Sequence, residues 1–105
     1  MHRGEVRPLR LPRGTGHEHQ GRRFGVIVQT DALLPRSTVL VAPTSRRARA
    51  ASFRPEISIG EVATRVLVEQ LGAVDASRLG APVGYLSAAE QWAVDAALRT
   101  VLALN

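Results

Sequence analysis

The chain has 105 residues, 45% of them apolar and 22% charged, with no cysteine. That length suits one domain over 1–105 with a modest core, the missing thiols exclude disulfides and thiolate metal sites, and no apolar run approaches the ~20 residues of a membrane span. The formal charge is +5 and every basic residue is arginine: 11 lie in residues 1–54 against three acids, and three in residues 55–105 against six, so the first half suits a polyanion.

Aromatics are scarce (Phe24, Phe53, Tyr85 and Trp92), so the core must be built from Val, Leu, Ile and Ala. The N-terminus lacks the apolar centre of a signal peptide, and a cytoplasmic protein without a membrane partner is expected. Residues 4–11 alternate loosely, and Pro8, without an N–H, belongs at a strand edge or a bulge. Residues 12–22 form a polar loop rich in Pro, Gly, His, Gln and Arg. Residues 24–30, FGVIVQT, read as a buried strand. A turn around Pro35 follows, then a second strand over 37–43 that ends at Pro43. Residues 44–52 are a polar, basic connection. EISI (56–59) alternates and is closed by Gly60. Strands are expected over 64–71 and 81–86, with a turn or single helical turn over 74–79.

Ser87 and Glu90 have the spacing of a capping box and open a C-terminal helix. Its packing face is expected to carry Trp92, Val94, Leu98 and Val101, extended by Leu104. Five or six short strands followed by one amphipathic helix predict a small, twisted antiparallel sheet or barrel.

Three groups of side chains invite chemistry. His17 and His19 are two apart in a loop. A zinc-protease helix needs histidines four apart on one face, and no further ligand cluster accompanies these, so a polar loop is the simpler reading. Arg22-Arg23 stands where that loop enters a strand, and guanidinium groups suit bidentate phosphate contact; surface pairing to Glu18 is the plain alternative. Thr44-Ser45 follows the second strand and is followed by Arg46, Arg47 and Arg49. Those hydroxyls suit a phosphate oxygen or the capping of a turn.

The order of these pieces resembles the MazF/PemK family of toxin–antitoxin endoribonucleases. The segments that carry the resemblance are Arg3-Gly4-Glu5-Val6, Gly16-His17-Glu18-His19-Gln20-Gly21-Arg22-Arg23, Val28-Gln29-Thr30-Asp31 and Val39-Leu40-Val41-Ala42-Pro43-Thr44-Ser45. Further along come Glu69-Gln70-Leu71, Val74-Asp75, Arg78-Leu79 and Gly84-x-Leu86-Ser87. The resemblance covers nearly the whole chain. It implies a mainly β (α+β) fold, an SH3-like small β-barrel of the MazF/CcdB kind with a C-terminal helix, in a homodimer. It also implies sequence-selective cleavage of single-stranded RNA with no metal or other cofactor, and a cognate MazE-like antitoxin.

By the same resemblance Arg23 and Thr44 take the family's catalytic positions, and Glu18 its acidic loop position. Arg22, Gln20, His17, Ser45, Arg46, Arg47 and Gln70 would line the RNA path. Arginine stays protonated and is a poor general base, so Glu18 or His17 is the candidate for proton removal. The choice of Arg23 over Arg22 rests on the gap to the apolar run. The chain departs from the family pattern twice: Phe24-Gly25 stands where a proline usually follows the arginine, and Arg7-Pro8 where an aromatic commonly follows Gly-Glu-Val. A non-catalytic nucleic-acid binder or a gyrase-poisoning toxin of the same fold is the alternative.

Overall fold

The computed structural model describes residues 1–10 and 23–104. Among the described residues seven strands precede one α-helix: β1 (Glu5–Pro8), β2 (Phe24–Ile27), β3 (Thr38–Ser45), β4 (Glu56–Ile59), β5 (Val62–Val66), β6 (Gly72–Asp75), β7 (Gly84–Tyr85) and α1 (Ala88–Leu102). All pairings are antiparallel, in the order β4-β5-β3-β2-β1-β7, with β6 also on β3.

β3 is the longest strand and is paired along both edges. One edge takes β2, with Val41 opposite Ile27 and Pro43 opposite Gly25. The other takes β6 over Thr38–Val41 and then β5 at Thr44 and Ser45. Pro43 sits at the change of partner. Its carbonyl accepts the Leu67 N–H at 2.8 Å on that second edge, so the edge on which proline offers no donor is the one where a ladder is interrupted anyway. The strand therefore does not end at Pro43, as expected from the sequence, but runs on through Thr44 and Ser45.

Pro8 follows the same logic. β1 is not an edge strand: it lies between β2 and β7. On the β7 side the Val83 N–H donates to Val6 O at 2.8 Å and the Gly80 N–H to Pro8 O at 2.9 Å. Pro8 thus stands where β7 gives way to the segment around Gly80. Beyond it Leu9 bridges Leu79 and Arg10 N–H donates to Arg78 O at 2.9 Å. β3, β6, the 78–80 segment, β1 and β2 in this way nearly close a barrel.

Two apolar clusters follow from strand alternation. Val6, Val26, Ala42, Ile57, Val66 and Val68 face Val94 and Ala97 of α1. Ile27, Val39 and Val41 point the other way, against Met1, Leu34, Val74 and Leu79. β2 feeds both clusters, which is why its sequence is apolar without alternation. Phe24 and Phe53 pack, partly buried, against the first cluster.

Several expected boundaries move. β5 begins at Val62, because Gly60 (φ 62°) lets a two-residue turn pair Ile59 with Val62. It ends at Val66, and Val68–Gln70 is a 3-10 turn rather than strand. Residues 74–79 hold the expected helical turn, Ala76–Arg78, capped by Asp75 accepting the Ser77 N–H at 2.9 Å. β6 just before it escapes a sequence reading because Gly72-Ala73 has little β propensity.

The capping box is present: the Glu90 N–H donates to Ser87 Oγ at 3.1 Å and the Ser87 N–H to Glu90 Oε1 at 2.8 Å. Glu90 Oε2 accepts the Ser58 N–H at 2.8 Å, which ties α1 to β4. Burial would raise the Glu90 carboxyl, but these amides outweigh it and hold it below its ordinary value. The packing face is Val94, Ala97, Leu98 and Val101. Trp92 is 71% exposed, since two residues along a helix turn a side chain about 200° from Val94. Leu104 does not extend the face: Ala103 is left-handed (φ 56°) and ends the helix, leaving Leu104 58% exposed.

Gly25 has a steric reason. A Cβ there would collide with Val41 Cγ1 and lie 3.5 Å from Leu9 Cδ2. Gly25→Ala is expected to lower stability by about 1–3 kcal/mol, read as a reduced urea midpoint at unchanged slope.

Candidate active site

The site forms where β3 outruns β2. The last backbone pair between them is Gly25 with Pro43, and side chains carry the contact further. The Arg23 carbonyl accepts the Leu9 N–H at 2.9 Å, which fixes this residue against β1. Its guanidinium turns the other way, and Nη1 donates to the Thr44 carbonyl at 2.8 Å. Thr44 reciprocates: its Oγ1 donates to the Phe24 carbonyl at 3.2 Å. Arg23 and Thr44, distant in sequence, are thus brought together. The guanidinium meets the main chain of Thr44, not its hydroxyl, and Thr44 is only 4% exposed.

On its other edge this end of β3 pairs Thr44 with Val66 and Ser45 with Arg65. Ser45 Oγ accepts the Arg47 N–H at 3.3 Å and so caps the start of the following segment. Arg46, Arg47 and Arg49 are exposed there, and among the described residues no carboxylate pairs with them. Gln70 is exposed on the 3-10 turn just beyond Leu67, whose N–H holds Pro43. His17, Glu18, Gln20 and Arg22 lie outside the described residues, as does His19. Among the described residues no group of three or more His, Cys, Asp and Glu side chains is placed to hold a metal ion.

Arg7 shares a face of the sheet with Gly25, its ladder partner. Its Nε donates to Glu5 Oε1 at 2.8 Å and its Nη1 to the Gly80 carbonyl at 2.9 Å. Glu5 is 3% exposed. Burial would raise its carboxyl, but the Arg7 guanidinium and the His2 amide overcome this and hold it below the ordinary value. Arg7 therefore neutralises a buried charge beneath the β1–β2 ladder.

Sequence reasoning missed a second cluster. Arg54 Nε and Nη2 both donate to Glu69 Oε2, at 2.9 and 2.6 Å, and Nη1 donates to the Arg49 carbonyl at 3.3 Å. The Arg54 carbonyl in turn accepts from Arg65 Nη1 at 3.0 Å. No local spacing announces a pair 15 residues apart; the only trace was Glu69 inside a segment already matched.

Residues 2–102 match the PemK-like, MazF-like toxins of type II toxin–antitoxin systems. The chain belongs to this family. A Mycobacterium tuberculosis relative, "Putative toxin Rv3098A/RVBD_3098A", is 38% identical over 90 residues, covering 85% of this chain and 84% of its own. Two solved structures share the fold of this PemK/MazF-like toxin. An endoribonuclease in complex with its cognate antitoxin, from a mycobacterial species, superposes with a TM-score of 0.82 at 19% identity, over 100% of this chain and 97% of that one. The Mycobacterium tuberculosis toxin MazF-mt6 gives 0.80 at 18% identity, over 96% and 98%. These agree with a MazF-type barrel carrying one C-terminal helix. In this toxin Phe24-Gly25 still delivers Arg23 to the end of β3. Among the described residues no helix is long and apolar enough to cross a membrane.

The Thr44 hydroxyl makes a buried bond that stabilises the fold irrespective of any chemistry. Thr44→Val should cost about 1 kcal/mol, measurable by urea denaturation, and this loss is the baseline for interpreting activity in that variant.

Proposed function

We propose that this toxin is a metal-independent, sequence-selective endoribonuclease acting on single-stranded RNA. The observation that carries the reading is the 2.8 Å bond from Arg23 Nη1 to the Thr44 carbonyl, at a strand end from which an exposed arginine run departs. The reaction needs little from the protein but placement and charge. The RNA 2′-oxygen attacks the adjacent phosphorus, its proton passes to a base, the P–O5′ bond breaks and O5′ takes a proton. The products are a 2′,3′-cyclic phosphate and a 5′-hydroxyl.

Arg23 is the residue for the phosphorane's non-bridging oxygens. Anchorage on a main-chain carbonyl holds its guanidinium in place before the charge develops, which is the arrangement that lowers a barrier most. Thr44 contributes through that carbonyl, and its hydroxyl can reach a phosphate only by giving up Phe24. Glu18 or His17 removes the 2′ proton. Arg22, Gln20, Ser45, Arg46, Arg47 and Gln70 guide the strand, and phosphate contacts of this kind make binding salt-dependent.

Partners follow from the same surface. Solved relatives of this fold include an endoribonuclease bound to its cognate antitoxin and MazE–MazF complexes from Deinococcus radiodurans. A MazE-like antitoxin with an acidic segment, laid over the 46–49 arginines, would occupy the RNA path. The toxin acts in the cytoplasm as a homodimer.

Incubation of the purified toxin with a long single-stranded RNA in excess EDTA should give discrete cuts, with the rate falling by roughly 10²–10³ in Arg23→Ala. Equal cleavage by Arg23→Ala would remove the site. Loss of cleavage in EDTA would restore a metal role for His17 and His19. Growth arrest with RNA left intact would favour the poisoning of another nucleic-acid complex.

A further inference from the structure

The segment between β3 and β4 carries Arg46, Arg47 and Arg49 yet has almost nothing of its own to hold it. It contains no strand or helix. Its local bonds are the Ser45 cap on the Arg47 N–H and a turn in which the Arg54 N–H donates to Ala51 O at 3.0 Å. Its one large apolar anchor is Phe53, partly buried. Three like charges within four residues repel, so the segment alone would sample many arrangements.

Arg54 counters this. One oxygen of Glu69 takes two of its N–H groups, at 2.9 and 2.6 Å, while Nη1 reaches back to the Arg49 carbonyl at 3.3 Å. Its guanidinium carbon lies 5.6 Å from the centroid of the Phe53 ring. Its own carbonyl accepts from Arg65 Nη1 at 3.0 Å, and Arg65 is the ladder partner of Ser45. The contacts therefore run from Ser45 through Arg65 and Arg54 to Arg49, and back to the barrel at Glu69. Both side chains of the pair are only 25% exposed, so it is a part-buried bridge and not a solvated surface pair. Its value lies in geometry: a planar fork spans two acceptors on different parts of the chain, which an ammonium does not.

We propose that Arg54 is a positioning residue: through Glu69 and the Arg49 carbonyl it holds the 46–49 arginines in one arrangement beside the Thr44 end of β3, where they engage the substrate backbone. The substrate half of this rests on the endoribonuclease reading. Arg54 does not touch the reacting atoms, so its loss should weaken substrate capture and spare the chemical step.

The test combines steady-state cleavage of an RNA, binding of a 2′-O-methyl RNA of the same sequence, and amide hydrogen exchange over residues 46–54, all on the full chain. In Arg54→Ala, KM and the Kd for the 2′-O-methyl RNA should rise on the order of tenfold with kcat held within about twofold, the signature of lost uniform binding. Exchange over 46–54 should quicken. Arg54→Lys should recover part of the affinity, and Glu69→Gln added to Arg54→Ala should cost nothing further. A fall in kcat at constant KM, or unchanged exchange in Arg54→Ala, would overturn the positioning role while leaving the nuclease reading intact. A wild-type toxin that neither cuts nor binds RNA would overturn the nuclease reading and the substrate role together, while faster exchange in Arg54→Ala would still uphold the structural latch.

Discussion

The candidate site depends on β3 running past the end of β2. Regular pairing between them stops at Gly25 and Pro43, yet β3 continues to Ser45 because β5 supports it on the other edge. A main-chain acceptor left at a ladder's end must find a donor, and at Thr44 the donor is the Arg23 guanidinium. The completion of the sheet and the placement of an arginine at the site are thus one interaction. Pro43 belongs to the same constraint, for it stands where β6 gives way to β5 and a donor would have little use.

Charge is arranged around that point in two ways. Arg7 is spent inside, balancing Glu5 beneath the ladder. Arg54 is spent on structure in a part-buried bridge, with Glu69 as its counter-ion. The exposed Arg46, Arg47 and Arg49 then stand beyond the strand end with their charge unbalanced by nearby carboxylates among the described residues. The charge asymmetry between the halves of the sequence is consistent with this division, although several of the N-terminal arginines turn out to serve the fold.

The fold was legible because its elements obey short-range rules. β4 is bounded where its alternation and Gly60 place it, and Ser87 with Glu90 marks the helix start. The failures have physical causes too. Pro43 suggests a strand end unless the neighbours on both edges are known. Gly72-Ala73 pairs as strand because β3 offers an edge, not because of its own propensity. Trp92 is expected on the packing face from the sequence, whereas helix geometry turns it outward. For the site, Arg23 and Thr44 were accessible through ordered resemblance, but that the guanidinium would meet the Thr44 carbonyl, and that the hydroxyl would turn to Phe24, depends on strand register. The Arg54–Glu69 pair left no local spacing signal, since it joins the segment between β3 and β4 to a 3-10 turn 15 residues further along the chain.

If this strand end is where a phosphodiester is broken by the RNA's own 2′-hydroxyl, the substrate itself offers the most direct test. Once a cut site is mapped, the ribose on its 5′ side can be replaced by 2′-deoxyribose within an otherwise unchanged RNA. Cleavage at that bond should vanish while the modified strand still competes for the toxin. Cleavage at the deoxy position, leaving a 5′-phosphate, would mean that water attacks instead and would contradict the chemistry assigned to Arg23 and Thr44.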